Sequence, residues 1–214
     1  MERQKKSSNH KQNKGIKKGE KENQLKWESA MKLVMTRLEI LNAELSMEHN
    51  RRIMQHISGR VKSEKSIREK LKKKGFSVQP EEAEGILNDI VGVRAVCLFE
   101  DDLYKIMDSL LFSQEIRIVK IKDYIQTPKA SGYRSLHIIL KIPIVFSKKE
   151  QWVTVEIQLR TSAMDYWAEL DYQFRYKKTG KNAAAIGEDL KKYSLLIEEL
   201  DQNMLTLREK IAAI

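Results

Sequence analysis

The run WVTVEIQLR at residues 152–160 alternates without a break. One face of a strand would take Val153, Val155, Ile157 and Leu159, and the other Thr154, Glu156, Gln158 and Arg160. A carboxylate, an amide and a guanidinium in step are parts of a site floor: one for a metal ion or a proton, one to orient a hydroxyl, one for phosphate. A solvated strand face is the competing account. Mg²⁺ is usually held by one or two carboxylates, with substrate phosphates completing its shell. Asp89, in LNDIVGVR, stands just before a second strand and could supply the other carboxylate, although a turn would also accept an Asp there. Arg94 begins that strand, placed to lie on a nucleotide or to pair with Asp89.

Two further stretches carry reactive side chains. PKASGYRSLH, at 128–137, puts Lys129, Tyr133, Arg134 and His137 around a glycine, where a bland turn would want the glycine only. GRVKSEKSIREKLKKKG, from Gly59, holds eight Lys or Arg against two Glu. Like charges at i,i+4 repel by a few tenths of a kcal/mol per pair, a cost that a phosphate ligand would relieve. Ser66 and Lys70 are four apart, with Lys73 and Lys74 a turn further on, so one helix face offers a hydroxyl and a column of ammonium groups. The glycine cradle GxxxxGK[ST] is absent, as are CxxC, HExxH, GxSxG and GxGxxG, which removes Walker-loop, zinc-finger, zincin, serine-hydrolase and dinucleotide readings.

The elements that would position these groups follow from periodicity. Trp27, Met31, Val34, Met35, Leu38 and Leu45 recur at helical spacing over 25–45. Ser63 is placed to cap a helix that stops at Gly75. Residues 93–99, 116–122, 136–142 and 152–160 read as strands, the last two joined by a hairpin turn, and 101–112 and 162–178 as helices. A final helix over 187–213 carries Leu190, Tyr193, Ile197, Leu200, Met204, Leu207 and Ile211 as an apolar seam, expected to dock on the sheet or on the first helix rather than on another copy. The pattern predicts an α/β (α+β) fold, a mixed sheet of about five strands flanked by helices.

The 214 residues suit one domain over 25–214, preceded by a disordered basic tail at 1–24 that holds eight Lys or Arg against three Glu. A net charge of +10 favours polyanionic partners, whether nucleic acid, acidic lipid or phosphorylated small molecules, and charge alone does not choose among them. The single cysteine, Cys97, excludes an internal disulfide, and no stretch has the roughly 18 consecutive apolar residues of a membrane span, so a cytoplasmic protein with no membrane contact is expected.

Taken in order, GRVKSEKSIREKL, LNDIVGVRAVC, DYIQTPKASGYRSLH and VEIQLRTSAMDYWAELDYQFRYK resemble the synthetase domain of the RelA/SpoT family, and in particular its small alarmone synthetases. KDYIQTPK followed by GYRSLH is more similar to the RelP than to the RelQ branch. The resemblance implies a nucleotidyltransferase-like fold with long terminal helices, and transfer of pyrophosphate from ATP to the 3′-hydroxyl of GDP or GTP with Mg²⁺ as cofactor. It implies that Arg60 and Arg94 sandwich the adenine, that Lys62, Ser66 and Lys70 hold the ATP phosphates, and that Asp89 and Glu156 bind the metal. By the same resemblance Glu156 and Gln158 prepare the hydroxyl, Tyr133 stacks on guanine, Lys129 and His137 approach the acceptor phosphates, and Asp165 meets the guanine edge. His137 as a core histidine stays open. A homotetramer is implied too. Where many relatives read Leu-Glu-His, this chain has Leu170-Asp171-Tyr172, and it has no His-Asp dipeptide of the kind the family's hydrolase half uses. The competing expectations are an RNA-binding module without catalysis and a nucleotidyltransferase that releases pyrophosphate.

Overall fold

A computed structural model of the chain describes residues 2–77, 83–146, 148–177 and 183–213, leaving aside the side chains of 2–18, 20, 146, 175–177 and 183. Its elements are α1 (Glu2–Glu48), β1 (Met54–Val61), α2 (Glu64–Lys73), β2 (Val91–Cys97), α3 (Glu100–Leu111), β3 (Arg117–Asp123), β4 (Leu136–Phe146), β5 (Lys149–Thr161), α4 (Ser162–Lys177) and α5 (Ala183–Ala212). The five strands form one sheet in the order β1-β2-β5-β4-β3. β2 and β5 are parallel and every other neighbouring pair is antiparallel, so the sheet is mixed, as expected. The helical backbone of α1 runs back through residues 2–24, the segment expected as a disordered basic tail. No helix among the described residues is long and apolar enough to cross a membrane.

One face of the sheet is the core. Val91, Val93, Ala95, Val153, Val155, Ile157, Leu159, Ile138 and Leu140 are all buried there, beneath Trp27, Val34 and Leu38 of α1 and Leu103 and Ile106 of α3. Gly59 lets α1 lie directly on β1, since a Cβ there would fall 2.7 Å from Met31 Cγ and Met35 Sδ. That glycine also hides β1 from a search for alternation. In MQHISGRV the core side offers Ile57, Gly59 and Val61, so this strand was missing from the four expected ones. The β4–β5 hairpin is tighter than the expected strand ends at 142 and 152: Phe146 pairs with Lys149, and Lys148 adopts φ 63°.

A correction concerns α5. Its apolar seam does not dock: Leu190 is buried, but Tyr193, Leu200, Met204, Leu207 and Ile211 remain 55, 48, 41, 48 and 63% exposed. The helix packs on α4 and α3 with Leu190, Ser194 and Asp201 buried, polar groups among them. The ends of the strands and of α3 that it covers carry hydroxyls, carbonyls and carboxylates, which an apolar stripe would leave unpaired.

Candidate active site

The second sheet face is polar. Cross-strand register places Arg60 opposite Gly92, Gly92 opposite Glu156, and Glu156 opposite Ile139. The next row is Ser58, Arg94, Gln158 and His137. The alternation of β5 therefore faces a built surface and not bulk water: Glu156 and His137 are 7 and 6% exposed.

Glu156 anchors two hydrogen-bonded routes that both begin at Arg160. The Arg160 guanidinium donates to the Tyr133 hydroxyl (2.8 Å) and to Gln158 Oε1 (3.2 Å). Gln158 Nε2 then donates to Glu156 Oε2 at 2.9 Å. On the other route Tyr133 OH lies 2.8 Å from His137 Nε2, and His137 Nδ1 lies 3.2 Å from Glu156 Oε1. A carboxylate only accepts, so the tautomer that satisfies both contacts has its proton on Nδ1 and takes the tyrosine proton at Nε2. Burial pushes the Glu156 carboxyl up, but the bonds from His137 and Gln158 outweigh it and hold the group below the usual carboxylate range. A smaller upward push comes from Asp89, which brings the two acids, 67 positions apart in sequence, into one electrostatic neighbourhood.

Asp89 accepts from both Lys62 and Lys70, each at 2.5 Å. Burial raises its pKa, and the two ammonium groups more than reverse that, leaving it below normal. Lys62 is itself lowered, by burial first, with Asp89 opposing and Lys70 and Arg60 adding to the fall. Two ammonium groups share one carboxylate. Ser63 caps α2 as expected, accepting from the Ser66 amide, and the two hydroxyls lie 3.0 Å apart. Lys74 departs from the expected column: its ammonium group donates to the Ile86 carbonyl at 3.3 Å.

A hollow of about 420 Å³ opens between these groups, lined by Arg60, Arg94, Lys129, Tyr133, His137 and Arg160, with Asp171 and Tyr172 of α4 on its rim. A smaller one of about 260 Å³ lies between Arg60 and Arg94 over Gly92 and Gln158. Burial, then the nearby Arg160, lowers the Arg94 pKa, with Asp165 opposing. Asp165 sits between Arg160 (2.8 Å) and Arg94 (3.1 Å). Lys129 Nζ is 4.5 Å from the ring centres of both Tyr124 and Tyr133, a cation–π clamp on the loop. Tyr124, which also meets Tyr133 and His137 edge-on, was not singled out from sequence, and neither was the linking position of Arg160. The adjacency of DY to IQTPK was the only signal for Tyr124.

The two carboxylates suit a hard divalent cation. Both are held in the ionised range, the state in which a carboxylate binds such an ion, and among the described residues no group of three or more His, Cys, Asp and Glu is placed to hold a metal.

A family model for a region found in RelA/SpoT proteins matches residues 59–181, starting within β1 and taking in all of α4. The chain belongs to the RelA/SpoT family. It is 36% identical over 187 residues to the GTP pyrophosphokinase YwaC of Bacillus subtilis, covering 87% of this chain and 89% of that one. It is 33% identical over 158 residues to the GTP pyrophosphokinase YjbM of the same organism, 74% of each. Among solved structures, small alarmone synthetase 1 from Bacillus subtilis bound to its product pppGpp superposes with a TM-score of 0.78 at 31% identity, over 86% of this chain and 94% of that one. Small alarmone synthetase 2 from the same organism gives 0.76 at 36% identity, over 87% and 96%. The RelA/SpoT match begins with Gly59 and Arg60, so it takes in every candidate site residue.

Proposed function

We propose that this chain is a GTP pyrophosphokinase, a small alarmone synthetase that moves the β,γ-pyrophosphoryl group of ATP to the 3′-hydroxyl of GDP or GTP. The observation that carries the reading is the meeting of Glu156 with Tyr133, His137 and Gln158 on a sheet face whose next strand leads from Asp89 and its two lysines. The YwaC and YjbM resemblance supports it.

In this reading the adenine lies between Arg60 and Arg94, whose side chains flank a floor that Gly92 leaves open. Lys62 and Lys70 exchange their bond to Asp89 for the ATP phosphates, and Ser66 adds a hydroxyl from the first turn of α2. Asp89 and Glu156 would then hold Mg²⁺, which supplies charge neutralisation to a polyphosphate at the moment of transfer. Tyr133 gives the guanine a stacking surface, Lys129 and His137 approach the acceptor phosphates, and Asp165 meets the guanine edge. Glu156, oriented by Gln158, takes the hydroxyl proton. A bond forms from the 3′-oxygen to the β-phosphorus while the bond from that phosphorus to the α,β-bridging oxygen breaks, and AMP leaves with the electron pair. Such transfers depend on positioning and charge more than on covalent chemistry.

The test is product identification. Purified protein given ATP, GTP and Mg²⁺ is expected to yield AMP and a guanine nucleotide with a 3′-pyrophosphate. Release of free pyrophosphate, or no turnover, would overturn the reading. The same proposal includes a homotetramer, checked by light scattering, where a monomer at micromolar concentration would refute it. Residues 1–24 are proposed as a basic tail that contacts RNA: the 25–214 fragment should then lose RNA affinity and flatten the salt dependence of binding. A reducing cytoplasm suits the lone buried Cys97, whose thiol burial pushes up to about 12.

A further inference from the structure

Behind the acceptor half of the site runs one stripe of α5. Leu190, Ser194, Glu198 and Asp201 follow at steps of four, four and three, the spacing of a single helix face. Each meets a different part of the scaffold. The Leu190 carbonyl accepts from Trp167 Nε1 of α4 at 2.8 Å. Ser194 donates its hydroxyl to the Gly132 carbonyl. Glu198 pairs with Arg134 at 2.8 Å. Asp201 accepts from the Thr161 hydroxyl at 2.7 Å, and that same oxygen caps α4 through the Met164 amide at 3.1 Å.

Gly132 and Arg134 are the two neighbours of Tyr133. The loop between Lys129 and Tyr133 is closed on itself by Gly132 N to Lys129 O (2.8 Å) and Lys129 N to Tyr133 O (3.1 Å). Gly132 adopts φ +88°, and a Cβ there would lie 2.8 Å from Ser194 Cβ and 3.3 Å from Lys191 Cα, so backbone meets helix without a side chain between. Arg134 is only 5% exposed. Glu100 is its second acid, at a looser 3.7 Å, and both Arg134 Nε and Glu100 Oε2 lack a hydrogen-bond partner. Glu198 therefore makes the close contact that holds this buried guanidinium.

We propose that Ser194 and Glu198 of α5 are positioning residues for the acceptor nucleotide: they grip the loop on both sides of Tyr133 and fix the stacking ring from outside the site. They touch no substrate, and their effect reaches the reaction through Tyr133. Among the described residues no hydrogen bond or ion pair joins α5 to Lys62, Ser66, Lys70 or Asp89, so loss of the grip should affect one substrate and not the other. This inference rests on the acceptor role proposed for Tyr133.

The experiment measures GDP binding by calorimetry, and steady-state kinetics beside it, for wild type, Ser194→Ala, Glu198→Ala, Glu198→Gln and Arg208→Gln. Arg208 is a control on the same helix, bonded through both nitrogens to Asp101 (2.9 and 2.8 Å) away from the loop. The expected result is a five- to twentyfold weaker GDP affinity and a matching rise in acceptor KM for Ser194→Ala and Glu198→Ala. Glu198→Gln, which keeps an oxygen for Arg134, should recover part of the loss. KM for ATP should stay within twofold, and Arg208→Gln should lower Tm without changing GDP affinity. Equal GDP binding by wild type and Glu198→Ala would overturn the proposal, as would parallel losses for both substrates. Wild type that binds no GDP would instead refute the functional reading itself, and the grip with it.

Discussion

The halves of the site proposed for donor and acceptor share a sheet face but are built in opposite ways. On the acceptor side Tyr133, His137, Gln158, Glu156 and Arg160 are bonded to one another before any ligand arrives, and the loop is held from behind by α5. On the donor side Lys62 and Lys70, with Ser66, stand on or beside the short helix α2, and the two lysines satisfy their charge on Asp89. Each arrangement suits its task. A base stacks on a surface that must already be flat and fixed, whereas a polyphosphate can displace an internal carboxylate from flexible ammonium groups. In the proposed reading the charge of the unliganded donor half is partly offset by the acid that would hold the metal in the bound state.

The contrast can be broken most forcefully at Glu156, the carboxylate proposed both to hold the metal and to take the acceptor's proton. Glu156→Gln is expected to lower kcat by 10² to 10³, the size seen when one transition-state electrostatic contact of about 2.7–4 kcal/mol is removed, while Tm shifts by only a few degrees. Tyr133→Ala should act on one side only, weakening GDP or GTP by about 1–3 kcal/mol, the worth of one base–aromatic stack, with KM for ATP unchanged. Lys70→Ala should do the reverse, raising KM for ATP about tenfold and leaving the acceptor alone, because Lys62 still pairs with Asp89.

A smaller effect sharpens the account of the acceptor side's rear support. Burial raises the Asp201 pKa above its ordinary value, against the bond from Thr161 and the charge of Arg134. A carboxyl whose folded pKa is raised contributes stability below its unfolded pKa and loses it as pH rises through the folded one. Asp201→Asn, which still accepts from Thr161, should therefore unfold slightly later than wild type at pH 7. The gap should close as pH falls below the ordinary aspartate range, and thermal melts across pH would reveal it.

Much of the floor was legible in sequence because β5 alternates so strictly: Glu156, Gln158 and Arg160 could be put on one face with no coordinates. What alternation does not carry is which strands become neighbours. Glu156 comes into the electrostatic neighbourhood of Asp89 because β2 and β5 pair in parallel with Gly92 opposite Glu156, a non-local register that neither strand encodes alone. β1 escaped notice because Gly59 trades an apolar side chain for closeness to Met31 and Met35. The α5 seam was visible and its use was misread, since a periodic stripe records that a face is apolar and not whether it is covered. The polar stripe of Ser194, Glu198 and Asp201 had no signature at all, because its partners are a loop carbonyl, a buried arginine and a threonine hydroxyl whose positions depend on the finished fold.

The central claim is that this polar face passes an intact pyrophosphoryl group between two nucleotides. It is tested most directly by following ATP labelled in its β-phosphate through a single turnover with GDP. The account predicts that the label appears on the 3′ position of the guanine nucleotide with one AMP formed per label transferred, and that Glu156→Gln suppresses both together. Label recovered as free pyrophosphate, or AMP formed without a labelled guanine product, would contradict it.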